Sequence, residues 1–262
     1  MQGYVLIAIG ERYIDEVANL ITTLRKQGDN RPVTVIIDES TVEYFTNKNT
    51  GADYTLLRVV DDNFGYYKTE FEVRGMYPKV NLYHFAPYEE NIFLDSDVVC
   101  QSTTEKVWTF LGNHRQNVVM VGRKNDPTWY WGTIDKVSYT FGKKVPHTHG
   151  GFIYFRKPQA EKFYKFASDV VRHHDSYGGL RQFRGGSMAD EFVYALTFAE
   201  FGYSPVNFDE FPIMTFNIRS DMEIPTKLQT SENKILDDFI PFIHIYDRSI
   251  YLDTYNKIMS QN

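Results

Sequence analysis

The sequence predicts an α/β fold in which a mostly parallel central sheet is flanked by helices. Short apolar runs typical of buried strands alternate with segments of helical periodicity in the first part of the chain. The 262 residues are 42% hydrophobic, which is enough for a sizeable core. No repeat, low-complexity tract or Pro/Ser-rich linker interrupts the sequence. We therefore expect one domain over residues 1–262.

The first part of the chain is predicted to form strands joined by helical crossovers. We expect buried strands at Tyr4–Gly10, Pro32–Asp38 and Tyr54–Val60, a central strand through Ile92–Leu94, and helices at Arg12–Gly28 and Met76–Tyr88. In parallel sheets of this kind, ligands bind beyond the carboxyl ends of the strands. The first strand exits at Gly10 and the fourth at Asp95, so both residues should border the site.

The second part of the chain changes in character. We expect a strand at Val118–Lys124, an aromatic and glycine-rich loop at Pro127–Gly142, a strand entering a helix over His147–His174, a loop at Ser176–Ser187, a helix at Met188–Gly202, short strands around Pro205–Asp209 and Phe211–Phe216, and a final core strand within Phe239–Asp247.

Charge and cysteine content exclude several classes of protein. The net charge of -6 argues against a general nucleic-acid binder, which needs a cationic surface for phosphates. Cys100 is the only cysteine, so the chain has neither a disulfide framework nor a cysteine-based zinc site, and a reducing, cytoplasmic location is expected. The apolar run Tyr4–Ile9 is too short for a signal core or a membrane span.

Two carboxylates follow the fourth predicted strand. Side chains two residues apart on an extended chain point the same way, so Asp95 and Asp97 should face one spot and Ser96 should face away. Neighbouring carboxylates repel each other unless a cation or hydrogen-bond donors lie between them. A polar strand end, with Asp97 capping a following helix, explains the tripeptide equally well. Both interpretations remain open at this point.

Four segments, in this order, resemble the motifs of glycosyltransferase family 8, which includes glycogenins and bacterial lipopolysaccharide galactosyl- and glucosyltransferases. They are "KVNLYHFAPYEENIFLDSDVVC" from Lys79, "HTHGGFIYFRKP" from His147, "MADEFVYAL" from Met188 and "PFIHIYD" from Pro241. The similarity extends over most of the chain, from Tyr4 to about Arg248.

This resemblance implies a GT-A fold and a metal-dependent transferase. The enzyme would move a hexose from a nucleoside diphosphate sugar, commonly a UDP-sugar, to a hydroxyl acceptor with retention at the anomeric carbon. Asp95, Asp97 and His244 would hold Mn²⁺ or Mg²⁺, and carboxylates with an imidazole suit either ion. Residues 1–100 would form the nucleotide-binding half, and residues 101–262 would bind the acceptor and the donor sugar.

The resemblance also implies roles for further residues. Asp190 and Glu191 would act at the donor sugar, as the catalytic pair. The residues expected to contact the donor are Ile7, Ile9, Tyr13, Arg74, Lys79, Ser96, His149, Gly150 and Arg248. Of these, Tyr13 would stack on the base and Lys79 would reach the diphosphate or the sugar.

The chain departs from the family pattern at several of these positions. His149-Gly150-Gly151 replaces Asn-Ser-Gly, and Glu191 replaces glutamine. The lysine that grips phosphate in the family falls on Ile250, so Arg248 is the candidate substitute. A carboxylate at position 191 can stabilise positive charge on the sugar or attack it, whereas an amide does the first weakly and the second hardly at all.

Other readings of the same residues stay open. Arg74, Arg181 and Arg184 are either phosphate or acceptor contacts or solvated loop residues, and Trp129, Tyr130 and Trp131 form either an acceptor groove or a hydrophobic cluster. Asp190 and Glu191 are also favourable simply as first-turn acids of a helix. A second metal site among His147, His149, His173 and His174 is less favoured than a helix-end role for the last pair.

Two other functions remain as alternatives. A sugar nucleotidyltransferase shares the sheet and also uses Mg²⁺, although "IGERYID" is a poor phosphate loop. A non-catalytic module could grip a glycan or a sugar nucleotide on the same fold.

Overall fold

The predicted alternation of strands and helices is present in the computed structural model. It describes residues 1–123, 128–129, 132–181, 185–207, 211, 213–217, 228–229, 235–236 and 240–260. The described α-helices are α1 (Glu11–Lys26), α2 (Val42–Asn47), α3 (Tyr77–Val80), α4 (Leu82–Phe85), α5 (Glu105–Gly112), α6 (Ile134–Phe141), α7 (Glu161–Arg172), α8 (Asp190–Phe201) and α9 (Arg248–Ser260). Short 3₁₀ turns cover Glu39–Thr41, Phe64–Tyr66 and His174–Tyr177, and a π-helical turn covers Glu72–Met76.

The strands of the described residues form one large sheet and several small ones. They are β1 (Gln2–Ala8), β2 (Val33–Ile37), β3 (Asp53–Leu56), β4 (Glu90–Leu94), β5 (Val98–Cys100), β6 (Val118–Arg123), β7 (Thr128–Trp129), β8 (Gly132–Thr133), β9 (His147–Arg156), β10 (Val206–Asn207), β11 (Met214–Asn217), β12 (Leu228–Gln229), β13 (Ile235–Leu236) and β14 (Phe242–Ile245). The large sheet has the order β10-β6-β9-β4-β1-β2-β3. Strands β1 to β4 are mutually parallel, and β9 runs antiparallel between β4 and β6. The α/β class with a mostly parallel sheet is therefore confirmed.

Three elements differ from their predictions, each for a local reason. The third strand is not buried: β3 lies at the edge of the sheet beside β2, and Tyr54 is 45% exposed. The single helix predicted over Met76–Tyr88 is divided at Asn81, whose side-chain amide donates to the carbonyl of Tyr77. The loop predicted over Pro127–Gly142 contains α6, which ends at Gly142 in the left-handed conformation (φ 75°).

Hydrophobic side chains cover both faces of the large sheet. One cluster contains Val5, Phe93 and Ile153 together with residues of α7 and α8, and the other contains Leu6 with residues of α1 and α5. Successive strand residues enter opposite clusters because their side chains alternate across the sheet. Cys100 is buried and free. Across the described residues, every helix is too short or too polar to span a lipid bilayer.

A small sheet is built against the exit of β4. Strand β14 lies between β11 and β5, parallel to the former and antiparallel to the latter. The register of β14 with β5 places His244 opposite Val98, which is the residue directly after Asp97. This sheet therefore carries a residue from the end of the chain to the carboxyl edge of the large sheet.

The buried carboxylate of Asp29 joins the first strand to α5. It accepts hydrogen bonds from the Tyr4 hydroxyl at 2.6 Å, the Thr104 hydroxyl and the backbone N–H of Arg31, whose guanidinium lies 3.2 Å away. Trp108 in turn donates its indole N–H to the Tyr4 hydroxyl at 2.9 Å. Burial raises the pKa of Asp29, but the donors from Thr104, Tyr4 and Arg31 outweigh it, so the pKa is lowered overall.

We predict that Asp29→Asn lowers the free energy of unfolding by about 2–3 kcal/mol at neutral pH, because charge-assisted hydrogen bonds are lost. Since the folded pKa is depressed, this contribution is complete above the unfolded pKa of about 4 and disappears as pH falls through the folded pKa. Urea unfolding from pH 7 to pH 3 measures it. The difference in free energy of unfolding between wild type and Asp29→Asn should become smaller on acidification. Asp135→Asn, at an exposed aspartate, is the control. A gap that is constant with pH contradicts the prediction.

Candidate active site and metal centre

The Asp95-Ser96-Asp97 segment forms a tight turn between β4 and β5. The backbone N–H of Val98 donates to the Asp95 carbonyl at 3.3 Å, which closes the turn. The two carboxylates converge as predicted, but through this turn and not along an extended strand. The alternative in which Asp97 caps a helix is wrong, because strand β5 follows directly.

His244 completes a three-residue cluster with the two carboxylates. Its Nε2 lies 2.8 Å from Asp97 Oδ1 and 3.9 Å from Asp95 Oδ2. The backbone N–H of Ile245 donates to the Asp97 carbonyl at 2.9 Å, which locks β14 against the turn. The imidazole is 4% exposed, so its position is set by packing as well as by these bonds.

The cluster suits a divalent cation. One donor atom from each of Asp95, Asp97 and His244 lies within 4.8 Å of the others. Adjacent ligands on a six-coordinate ion stand about 3 Å apart when each bond is about 2.1 Å long, so these side chains need little movement. Two carboxylate oxygens and one imidazole nitrogen are donors that Mn²⁺ and Mg²⁺ accept.

The electrostatics of the cluster reflect the crowding of its charges. Burial, together with the neighbouring carboxylates Asp97 and Asp190, raises the pKa of Asp95 in spite of Lys79. Burial also disfavours the charged form of Asp97, but His244 outweighs it, and the pKa of Asp97 is lowered. Burial opposes protonation of His244, yet Asp97 and Asp95 raise the pKa of the imidazole. A cluster so rich in carboxylates favours a cation.

Lys79 joins this cluster to the start of α8. Its ammonium group lies 2.8 Å from Asp95 Oδ1 and 2.8 Å from Asp190 Oδ2, and its side chain is only 14% exposed. Burial alone would lower the pKa of Lys79, but Asp190 and Asp95 raise it above its ordinary range. Lys79 therefore stays charged and compensates both carboxylates.

The glycine pair in β9 allows the first turn of α8 to approach the cluster. The β6–β9 register shifts between Met120 and Val121, where β9 bulges at this pair. A Cβ atom on Gly150 would collide with the Asp190 carboxylate, and one on Gly151 would lie 2.8 Å from the His244 ring. Only glycine fits such close approaches.

The side chains of Glu191 and His149 approach each other beside this bulge. The N–H of Gly150 donates to Glu191 Oε1 at 3.3 Å, and the same oxygen lies 3.8 Å from His149 Nε2. The His149 and His244 rings are 5.2 Å apart between centroids. The first turn of α8, which the sequence predicted to belong to the site, therefore lies close to the Asp95, Asp97 and His244 cluster.

Ser96 faces away from the cluster and contacts Glu16 of α1. The serine hydroxyl donates to Glu16 Oε2 at 2.7 Å, and Glu16 Oε1 accepts from Arg248 at 2.9 Å and from Arg12 at 3.3 Å. Burial raises the pKa of Glu16. The buried Glu16 carboxylate therefore supports the turn through Ser96. It also binds Arg248, the residue that was expected to contact phosphate.

A second buried carboxylate, Glu72, holds the segment that precedes α8. It is fully buried and accepts from the Met188 backbone N–H at 2.7 Å and from the Arg181 guanidinium at 2.7 Å. Arg74, in the same π-helical turn, pairs with Glu70 at 3.0 Å and is more than half exposed. Arg181 thus has a structural partner in Glu72.

The remaining predicted residues have different surroundings. Ile7 is partly buried and Ile9 is 4% exposed within the core, so Ile9 offers a ligand chiefly its backbone. Tyr13 is partly buried at the start of α1, under the Arg12 guanidinium. His174 is buried against Phe192 at the end of α7. Tyr130, Trp131 and Arg184 lie outside the described residues, as does the Trp129 side chain.

Sequence reasoning missed Glu16, Glu72 and Tyr246 as neighbours of the site. Glu16 and Glu72 resemble ordinary charged helix residues, and nothing in their local pattern marks them as buried. Tyr246 follows the final core strand, and its hydroxyl lies 2.5 Å from His149 Nε2. Its position two residues after His244 was the available signal.

Comparison with known proteins identifies the fold. The structure is similar to the galactosyltransferase LgtC solved with donor and acceptor sugar analogs (TM-score 0.61, 10% identity), with coverage of 100% of this chain and 98% of that one. It is also similar to mouse xyloside xylosyltransferase 1 in its apo form (TM-score 0.58, 9% identity, 93% and 97% coverage). The bifunctional glycosyltransferase WbbM matches over 99% of this chain and half of its own length (TM-score 0.60, 14% identity). No protein-family model and no curated protein sequence matches the chain.

These similarities confirm the GT-A glycosyltransferase fold that the sequence motifs implied. In that fold the Asp95-Ser96-Asp97 turn stands at the carboxyl end of a central strand, where ligands of parallel sheets bind.

We predict that Glu16→Ala weakens binding of Mn²⁺ with a nucleoside diphosphate about tenfold, since residues behind metal ligands typically contribute 10- to 100-fold to affinity. Ser96→Ala, which removes only the hydrogen bond to Glu16, should have a similar effect, and the double variant should lose little more, because each single variant already breaks the Ser96–Glu16 bond that holds the turn. Titration calorimetry measures the affinities, with exposed Glu11→Ala as the control on the same helix. Glu16→Gln, which keeps an oxygen for Ser96, should recover most of the affinity. Wild-type affinity in Glu16→Ala would show that Glu16 does not position the turn.

Proposed function

We propose that this protein is a metal-dependent glycosyltransferase that moves a hexose from a nucleoside diphosphate sugar, commonly a UDP-sugar, to a hydroxyl acceptor with retention. One observation carries the proposal: Asp95, Asp97 and His244 converge at the carboxyl edge of a GT-A sheet, next to the first turn of α8. In the proposed arrangement, residues 1–100 contribute the nucleotide-binding half and residues 101–262 the acceptor and donor-sugar half.

The proposed metal ligands are Asp95, Asp97 and His244. A divalent ion held there would take up the negative charge of the departing nucleoside diphosphate. Lys79 supports this role from the side, because its buried charge offsets Asp95 and Asp190 and keeps both in place. Tyr13, beyond the end of β1, is proposed to stack on the base.

The proposed roles of Asp190 and Glu191 differ because their surroundings differ. Asp190 is paired with Lys79, so its carboxylate is suited to orient the sugar through hydrogen bonds. Glu191 approaches the backbone N–H of Gly150 and the imidazole of His149. We propose that Glu191 faces the anomeric carbon, where a carboxylate stabilises positive charge or forms a glycosyl–enzyme intermediate.

Asp97→Asn tests the metal-dependent transfer. With a panel of sugar nucleotides and Mn²⁺, we expect the wild-type protein to release nucleoside diphosphate and Asp97→Asn to be about 10²–10³-fold slower, a loss of about 3–4 kcal/mol. The melting temperature without ligands should stay close to wild type, and the further stabilisation by Mn²⁺ with nucleoside diphosphate should disappear.

Other products of the same assay distinguish the alternatives. Release of pyrophosphate would indicate a nucleotidyltransferase, and binding without turnover would indicate a non-catalytic module. Exposed Asp135→Asn serves as the matched control. An equal Mn²⁺ requirement in wild type, Asp97→Asn and His244→Ala would contradict the metal assignment.

Glu191→Gln tests the stereochemical part of the proposal. We expect product of retained anomeric configuration from the wild type, and at least tenfold slower turnover in Glu191→Gln at similar donor and metal affinity, since an amide stabilises positive charge less well. NMR of the product and steady-state kinetics provide the two measurements. Glu200→Gln, near the other end of α8, is the control. An inverted product discards the retaining mechanism, and undiminished turnover discards the role of Glu191.

A further inference from the structure

His174 is a buried histidine that has no part in the proposed reaction. It opens the 3₁₀ turn after α7, and its exposed fraction is 1%. Its Nδ1 lies 3.0 Å from Asp175 Oδ1, and because an ionised carboxylate only accepts, Nδ1 carries the hydrogen of the neutral ring. Its Nε2 is buried and has no hydrogen-bond partner among the described residues. The second nitrogen of the ring therefore faces packed atoms.

The backbone of Gly179 covers the Nε2 edge of this imidazole. A Cβ atom on Gly179 would stand 2.5 Å from both Nε2 and Cε1 of His174, so the glycine backbone lies directly against these atoms. The Gly179 N–H donates to the His174 carbonyl at 3.2 Å, and the Phe192 ring of α8 lies 4.9 Å from the imidazole between centroids. A hydrogen added to Nε2 would point into packed atoms unless segment 178–181 moves.

The charged groups that act most strongly on His174 come from three elements. Burial has the largest effect and disfavours a positive imidazole, Asp175 of the same turn and Glu72 of the π-helical turn favour it, and the pKa of His174 is lowered overall. Arg181 also opposes the positive imidazole. Its Nε lies 3.4 Å from the Asp175 oxygen that accepts from His174, and Lys68 acts on the same carboxylate. The neutral form therefore stabilises the fold above the ordinary histidine pKa of about 6.5, and this contribution is lost as pH falls through the folded pKa.

Arg181 connects the segment that covers His174 to the start of α8. Oε1 of the fully buried Glu72 accepts from the Arg181 guanidinium and from the Met188 backbone N–H, at 2.7 Å in each case. The other oxygen accepts from the Thr69 N–H at 3.2 Å. Withdrawal of the guanidinium would remove a countercharge from a buried carboxylate, so movement of Arg181 must disturb Glu72 and its contact with Met188.

We propose that His174 is a pH-sensitive switch for the start of α8, which is held in place while the imidazole is neutral and released when it is protonated. Protonation of His174 displaces segment 178–181 and withdraws Arg181 from Glu72. The Met188 N–H then loses its fixed acceptor, and the start of α8 opens more often.

The released segment leads directly into the proposed catalytic pair. Met188 is two residues before Asp190 and three before Glu191. The switch itself goes beyond the proposed function, because it concerns only how α8 is held. Its effect on turnover rests on the proposed glycosyltransferase function.

Hydrogen exchange of the Met188 amide tests the switch in the whole protein labelled with ¹⁵N-methionine. We expect the protection factor of this amide to fall at least about tenfold from about pH 8 to about pH 5 in the wild type. The change should follow the titration of His174 in ¹³C-histidine spectra. Met120, which is buried in β6, should keep its protection and is the internal control.

Two variants remove the titration and keep different parts of the contact. His174→Asn keeps an N–H donor for Asp175, and His174→Phe keeps a ring against Phe192, so one of them decides if the other does not fold. In both, Met188 protection should change by less than about threefold over the same pH range. His173→Asn, at the exposed neighbouring histidine, is the matched control and should behave like the wild type.

Turnover provides a separate measurement. With the donor that the wild type uses, acidification from about pH 8 to about pH 5 should slow the wild type at least about threefold more than His174→Asn. The comparison isolates His174, because the titratable groups at the proposed metal ligands are the same in both proteins.

The possible outcomes are distinguishable. Loss of Met188 protection that persists in both His174 variants overturns the switch, and so does protonation of His174 with unchanged Met188 protection. A His174 that stays neutral down to about pH 5 overturns it as well. Equal acid sensitivity of turnover in wild type and His174→Asn overturns the effect on the reaction. Absence of turnover in the wild type at every pH overturns the proposed function, whereas hydrogen exchange alone decides the switch.

Discussion

The buried ammonium group of Lys79 is the interaction on which the arrangement of the site depends. It lies 2.8 Å from Asp95 at the end of β4 and 2.8 Å from Asp190 at the start of α8. Without a cation between them, these carboxylates and Asp97 would repel each other in a partly buried space. Lys79 therefore allows Asp95 and Asp190, which are 95 residues apart along the chain, to lie with their carboxylates close together.

Two other carboxylates hold the backbone behind the site. Glu16 binds the Ser96 hydroxyl, and Glu72 binds the Met188 backbone N–H. Both are buried and satisfied by several donors, so they act as fixed anchors and not as ligand groups. These contacts hold the turn with the proposed metal ligands and the start of α8 with the proposed catalytic residues from behind, as precise positioning of a site requires.

The departures from the family motifs are neighbours in space. His149 and Glu191 stand where that pattern has amide residues, and both Glu191 Oε1, at 3.8 Å, and the Tyr246 hydroxyl, at 2.5 Å, lie near His149 Nε2. Gly150 and Gly151 lie in the same place, and a side chain at Gly150 would collide with Asp190 and one at Gly151 with His244. These residues form one local unit beside the Asp95-Ser96-Asp97 turn.

Local sequence patterns determined the parallel strands β1, β2 and β4 and helices α1 and α8. Each depends on neighbours within one element, where periodicity and burial are directly linked. Only the tertiary structure decided that β3 is an exposed edge, that Ser96 turns to Glu16 across 80 residues, and that Lys79 pairs with Asp190 across 111. The same holds for His244, which reaches Asp97 through the β5–β14 register. Such pairings depend on which elements become neighbours after folding, and local patterns do not encode that.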